Sequence, residues 1–313
     1  MTFPATPWRF GEMSILLVGS TGQVAFELQR TLACLGIVTT LGRATRPMLD
    51  LAQPQSIREA VQTVRPALIV NAAAYTAVDK AEQESSLAYC INAEATAILA
   101  EEALAIDAGL IHYSTDYVFP GAATQPYREN DPTGPLGVYG RSKLAGEQCI
   151  RDSGVRHLIL RTAWVYGRRG QNFLLTMLRL MRERNQLGIV DDQQGAPTWS
   201  RLIAEATALM VARCTHEGRF EPDEAGGTYH LTCAGATTWF GFASRIRELA
   251  IVHGLLDESA ARLQPIATSD YPTLARRPAY SVLANDRLTE AFALALPAWD
   301  DALALCLAEV AQP

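Results

Sequence analysis

Apolar positions in the first half of the chain recur in two alternating rhythms. Ser14 to Gly19 (SILLVG) is an unbroken apolar run ending on glycine, the pattern of a parallel strand buried on both faces. Gln23 to Leu35 follows, with Val24, Leu28, Leu32 and Leu35 on one helical stripe. Ile37 to Leu41 predicts a second strand. Pro54 opens a helix to about Val64, proline being tolerated in a first turn. Ala67 to Asn71 (ALIVN) predicts another buried strand, and Leu87 to Ile106 a single long Ala-rich helix. Leu110 to Ser114, a helix over Val138 to Ser153 and a strand over His157 to Thr162 continue the series. Strand and helix alternating through short links predict an α/β fold with a doubly wound, Rossmann-like parallel sheet.

After about residue 163 the rhythm loosens. Helices are expected over 172–184 and 201–212, with a loop-rich stretch between them at 191–200 (DDQQGAPTWS). A short strand is expected over 228–231, and the remainder is mixed, with prolines at 265, 272 and 278. The simplest organisation is a nucleotide-binding domain over 13–165 and, over 166–313, mainly a smaller C-terminal substrate-binding lobe, some of whose segments return to the sheet. Residues 1–12 (MTFPATPWRFGE) lack the apolar stretch of a signal peptide. They read as an extension before Met13, which opens the first strand.

Composition narrows the class of partner. A chain of 313 residues buries a substantial core without disulfides or structural metal. The net charge of -6 opposes nucleic acid as the main partner, since phosphate backbones select basic faces. No apolar run reaches the roughly 18 residues of a membrane helix. The six cysteines form no C-x-x-C pair and no Cys/His cluster with metal spacing, so reduced thiols and a cytoplasmic location are expected.

The candidate chemistry begins at the first strand-helix turn, Gly19-Ser20-Thr21-Gly22-Gln23-Val24-Ala25. Gly19 permits a tight turn, Gly22 lets the backbone approach a pyrophosphate at the helix N-terminus, and Ala25 is small enough for close helix-sheet packing. At the end of the second strand an NAD site usually carries an acid for the ribose hydroxyl. This chain has Leu41-Gly42-Arg43, and Arg43 could hold a 2′-phosphate, so NADPH is expected, with NADH left open. Asp50 and Leu51 are placed to reach the adenine. Asn71-Ala72-Ala73-Ala74 gives a third cofactor-facing turn, of small residues at a strand's carboxyl end.

Tyr139 and Lys143 stand at i and i+4, on one helical face. A phenol titrating near ~10 is a weak acid-base catalyst at neutral pH. A lysine cation about 5 Å away contributes roughly 3 kcal/mol at an effective dielectric of ~20, enough to lower that value by about two units. Y-x-x-x-K alone is common on helix surfaces. Here it follows Ser114-Thr115-Asp116, at the end of an apolar strand, where the Thr115 hydroxyl could bond a substrate oxygen beside Tyr139. The glycine turn, the hydroxyl-bearing strand end and the Tyr/Lys helix occur in the order a hydride-transfer site requires.

These stretches resemble the extended short-chain dehydrogenases, and most closely the dTDP-4-dehydrorhamnose reductases. GSTGQVAFELQRTL, VNAAAYTAVDKAE, HYSTDYVFPG, PLGVYGRSKLAGE, RTAWVYG, DDQQGAPT, YHLTCAGATTW and YPTLARRP carry the resemblance, over about residues 13–313. It implies reduction at C4 of dTDP-4-dehydro-β-L-rhamnose, the last step in making dTDP-β-L-rhamnose. Tyr139 is then the proton donor, Lys143 its partner and a ligand of the nicotinamide ribose, and Thr115 the orienting hydroxyl. Asp116 and Trp164 would contact the sugar. Gly22, Gln23, Val24, Asp50, Leu51 and Ala72 to Ala74 would line the cofactor, and Arg277 would meet the diphosphate, chiefly on charge.

The family pattern is broken in two places. The acid at the end of the second strand is absent, with Gly42 there. Some members bridge a dimer with Mg²⁺ held by carboxylates; Glu27 matches one of these, but Arg201 stands at the position of another, so no metal is expected and a homodimer stays open. Two other readings remain: a nucleotide-sugar epimerase or dehydratase on the same scaffold, and a non-catalytic NADP-binding regulatory subunit. Tyr117 after Asp116 opposes dehydration, which places an Asp-Glu pair after the threonine, and the intact Tyr139/Lys143 pair opposes a purely regulatory role.

Overall fold

The computed structural model describes residues 13–45 and 47–311. The apolar runs form β1 (Met13–Val18), β2 (Gly36–Leu41), β3 (Leu68–Asn71), β4 (Gly109–Thr115) and β5 (His157–Thr162). With strand Gly227–His230 they make one parallel sheet in the order Gly227–His230, β5, β4, β3, β1, β2. The order reverses between β1 and β3, which opens a crevice at their carboxyl ends.

Alternate residues of each strand feed two cores. Ile15, Leu17, Leu68 and Val70 pack under α1 (Gln23–Leu32), while Leu16, Val18 and Ile69 pack under α2 (Pro54–Val64) on the other face. Each such side chain, fully buried, contributes about 1.5–3 kcal/mol. The helix expected over 87–106 is interrupted. Short α3 (Val78–Ala81) leads to α4 (Ser85–Tyr89), then a π turn over Cys90–Glu94, then α5 (Ala95–Ala105). The wider turn carries Asn92 inward, where its amide bonds both backbone groups of Tyr75 and the Ser142 hydroxyl.

Helix α6 (Val138–Ser153) lies against this turn, since a Cβ on Gly146 would stand 2.2 Å from the Asn92 carbonyl oxygen. Its first turn is fixed from outside: Glu82 Oε1 accepts the Val138 N–H at 2.7 Å, satisfying one of the free donors of a helix start.

Beyond Thr162 the chain serves both halves. Strand Gly227–His230 extends the sheet, and, after α7 (Phe173–Glu183), α8 (Ser200–Arg213) packs its buried residues into the same core as α1. A third core gathers α7, α9 (Trp239–Val252) and α10 (Trp299–Val310) around a parallel pair, Gln186–Val190 with Arg262–Ile266. The stretch read as loop over 191–200 contains two-residue strands, Gln194–Gly195 and Thr198–Trp199. Among the described residues no helix is long and apolar enough to cross a membrane.

Candidate active site

The crevice between β1 and β3 is shaped by small residues. Gly19 has φ +108°, open to glycine but strained for other residues, and a Cβ there would meet Ala73 at 3.3 Å and the Ala72 carbonyl at 3.4 Å. Gly22 caps α1 with no side-chain acceptor, so the first-turn N–H groups are left for a ligand. Ala25, in the first turn of α1, is fully buried against the sheet, and Val24 packs against the core beside it. Ala72, Ala73 and Ala74 form the half-buried opposite wall. A pyrophosphate between these turns would meet backbone rather than side chains, which fits a dinucleotide.

Gln23 joins this turn to the second half of the chain. Its amide donates to the Val165 carbonyl and accepts from Asn172, the N-cap of α7. At the end of β2, Arg43 is 79% exposed and 3.4 Å from Asp50, a contact weak enough to yield to a phosphate. Asp50 turns inward to the Ala52 N–H, and Leu51 is a core residue, packed with Leu41 and Leu49. Leu51 can therefore offer an adenine its backbone and little else.

Thr115, Tyr139 and Lys143 come together where β4 ends. Thr115 accepts from the Tyr117 N–H and donates to Asp116 Oδ1 at 3.0 Å, and its hydroxyl faces the Tyr139 phenol. Close approach of α6 here needs Gly140, because a Cβ would lie 2.2 Å from the Tyr117 carbonyl oxygen. The Tyr117 ring stands edge-on to Tyr139, with centroids 5.7 Å apart.

The electrostatics differ from the spacing argument. Lys143 is only 2% exposed, and its Nζ points down to β4, 2.9 Å from His112 Nε2 and 2.7 Å from the Tyr113 carbonyl it bonds. Burial lowers its pKa to about 8, against the pull of Glu147. Burial also dominates Tyr139, raising its phenol to about 12 although the Thr115 hydroxyl pulls it down. The expected lowering by Lys143 is absent because the ammonium is spent on β4. A phenol held protonated is the form that donates to a developing alkoxide. Asp116, buried at the same corner, is pushed up to about 6 by burial, with the Ser281 and Thr115 hydroxyls pulling the other way.

Trp164, just beyond β5, has φ +46°, a strained value for a bulky residue. Its ring stacks on Trp239 at 3.5 Å and sits against Gly195, where a Cβ would lie 2.4 Å from the indole. Arg277 is not free: it makes a two-point ion pair with Asp79, at 2.7 and 3.2 Å. A diphosphate beside it would meet that charge only as one member of the pair.

Sequence reasoning missed Asp79, His112, Asn92 and Trp239. Only His112 left a signal, a polar residue directly after the apolar Leu110–Ile111 pair of a buried strand.

A bridging Mg²⁺ does not fit the carboxylates near α1. Glu27, 5% exposed, and Glu309 converge instead on the guanidinium of Arg201. Among the described residues no group of three or more His, Cys, Asp or Glu side chains could hold a metal ion.

Residues 13–312 match the RmlD substrate binding domain family. The chain belongs to that family. A dTDP-4-dehydrorhamnose reductase of Burkholderia thailandensis is 46% identical to this family member, over 95% of this chain and 99% of the relative. Solved structures of the same family superpose closely. The dTDP-4-dehydrorhamnose reductase of Clostridium acetobutylicum gives a TM-score of 0.85 at 33% identity, over 94% of this chain and 98% of the other. That of Bacillus anthracis, solved in complex with NADP, gives 0.83 at 32% identity, over 95% and 99%. This RmlD-type chain thus shares with them the parallel sheet and the flanking helices.

Proposed function

We propose that this protein reduces the C4 keto group of dTDP-4-dehydro-β-L-rhamnose to dTDP-β-L-rhamnose with NADPH. The observation that carries the reading is the convergence of Thr115, Tyr139 and a buried Lys143 beside the Gly19/Ala73 crevice. The reductases named above, one of them an NADP complex, support it.

The first turn of α1, with Gly19, Gly22, Gln23 and Val24, would hold the cofactor's pyrophosphate, and Ala72 to Ala74 would back it. Arg43 and Asp50 flank the adenosine end, where Arg43 meets a 2′-phosphate by charge. Bound there, the reduced cofactor supplies the hydride. Tyr139 gives its proton to O4 of the sugar as negative charge develops, and Thr115 orients that oxygen. Lys143 would present its cation to the nicotinamide ribose, with its ammonium held on β4 rather than beside the phenol. Asp116 and Trp164 bound the sugar, Arg277 with Asp79 faces the diphosphate, and much of 166–313 forms the substrate side.

Spectrophotometric NADPH oxidation with the dTDP-keto-sugar, set against its UDP and GDP counterparts, tests the assignment. Tyr139→Phe should lose at least about two orders of magnitude in turnover while retaining cofactor binding. Near-normal turnover in that variant rules out the phenol as proton donor.

A further inference from the structure

In that reading Lys143 and the Ala72–Ala74 turn are separate parts of the cofactor cradle. A buried polar chain joins them. Lys143 Nζ is 2.9 Å from His112 Nε2, and His112 Nδ1 is 3.1 Å from the Asn71 amide, whose Oδ1 accepts the Ala73 N–H at 3.3 Å. Asn71 and His112 are register partners on β3 and β4. Asn71 and His112 are 1% exposed and Lys143 2%, so water does not interrupt the chain.

Donor and acceptor rules allow this chain two arrangements, one of which leaves the Ala73 N–H without its Asn71 partner. An ammonium only donates, so beside charged Lys143 the ring must accept at Nε2 and carry its proton on Nδ1. That proton goes to Asn71, which must turn its carbonyl oxygen to the ring and release the Ala73 N–H. A neutral amine can accept, so Nε2–H then donates to Nζ. Nδ1 accepts from the Asn71 NH₂ group, and Oδ1 keeps the Ala73 N–H.

We infer that His112 is a positioning residue whose tautomer ties the charge on Lys143 to the hydrogen-bonding state of Ala73 in the cofactor turn. The inference rests on the cofactor-cradle reading and deepens it. The groups facing Lys143 permit such a change. From β4 come only His112 and the Tyr113 carbonyl. From its own helix come Tyr139 and Glu147, the latter already paired with Arg161 of β5 and with Arg151. Asp116 stands after β4, and the π turn contributes neutral Asn92 through Ser142. Burial keeps His112 neutral, and the Lys143 charge reinforces this, so the ring exchanges tautomers rather than charge. By linkage, a cofactor that takes up the released Ala73 N–H favours charged Lys143, and charged Lys143 favours that cofactor.

Nitrogen-15 NMR of histidine-labelled protein reads the tautomer directly. The chain has five histidines, and the His112 signal is the one lost in His112→Gln. If that variant does not fold, it is the signal altered in Lys143→Met. The expected result is a proton on Nδ1 at low pH and on Nε2 at high pH, with no charged ring in between. Saturating NADPH should move the crossover upward by about half a unit, equivalent to roughly threefold tighter binding to the charged form. A single tautomer across the pH range, with and without NADPH, overturns the inference, as does a crossover that persists in Lys143→Met. If calorimetry finds no NADPH binding at all, the cofactor reading fails, while the crossover in the free protein still decides whether the tautomer follows Lys143.

Discussion

Asp79 and Arg277 lie 198 residues apart in sequence and form a two-point ion pair that fastens the segment around Ala275 onto α3. Asp79 Oδ1 also accepts the Ala275 N–H at 3.1 Å. Three residues on, Glu82 holds the start of α6 through Val138. One short helix therefore sets both the segment carrying Arg277 and the helix carrying Tyr139 and Lys143.

This predicts a graded effect on substrate binding. Arg277→Ala removes the cation proposed for the diphosphate and should lower kcat/KM about 10- to 100-fold, the range of a lost charge-assisted hydrogen bond. Asp79→Ala leaves the cation but loosens its placement, so KM for the nucleotide sugar should rise by less, with kcat changed little. The pair is partly exposed, so the stability cost of either variant stays near 1 kcal/mol or below. Steady-state kinetics of both variants decide the matter; an unchanged KM in Asp79→Ala would show that Arg277 needs no anchor.

The parts of this site legible in the sequence were those fixed by local rules. Gly19, Gly22 and Ala25 were visible because a strand-to-helix turn at a phosphate has few alternatives. Tyr139 and Lys143 were visible because i,i+4 spacing defines a helix face. That spacing gives the face but not the depth at which a side chain ends. Lys143 runs inward to His112, and the expected effect on the Tyr139 phenol was lost with it. Asn92 widens its helix through contacts with Tyr75 and Ser142, and no helical stripe records such contacts. Trp239 reaches Trp164 from a segment 75 residues away, and its stacking depends on the strained backbone at Trp164.

Arg43 should set the choice of cofactor. Its guanidinium is exposed and only loosely held by Asp50. Arg43→Ala should raise KM for NADPH about tenfold, the loss of one exposed cation-phosphate contact, and leave KM for NADH nearly unchanged. An unaltered ratio of the two constants removes Arg43 from cofactor recognition.

Asp116 should make stability depend on pH in a defined window. Its folded pKa of about 6 lies above the unfolded value, so between about 4 and 6 the folded protein holds a proton that the unfolded chain has released. Stability from this group therefore falls as pH rises through that window, by an amount on the order of 3 kcal/mol at most. Asp116→Asn cannot ionise, and its melting temperature relative to the parent should be higher at pH 7 than at pH 4. Equal differences at both values, measured by scanning calorimetry, would trace the effect to packing.

Arg201 should make the fold indifferent to divalent cations. Its Nε lies 3.5 Å from Glu27 Oε2, and another guanidinium nitrogen bonds Glu309, so the two carboxylates are neutralised within the chain. Neither EDTA nor millimolar Mg²⁺ should shift the melting temperature of the parent protein. Arg201→Glu removes that cation and brings a third carboxylate to the other two, so repulsion should lower the melting temperature by several degrees. Three carboxylates suit a hard cation, and Mg²⁺ or Ca²⁺ should restore the loss in proportion to the logarithm of its concentration, about 2.7 kcal/mol at a hundredfold excess over Kd. If Mg²⁺ stabilised the parent as much as the variant, the guanidinium would not be standing in for a metal.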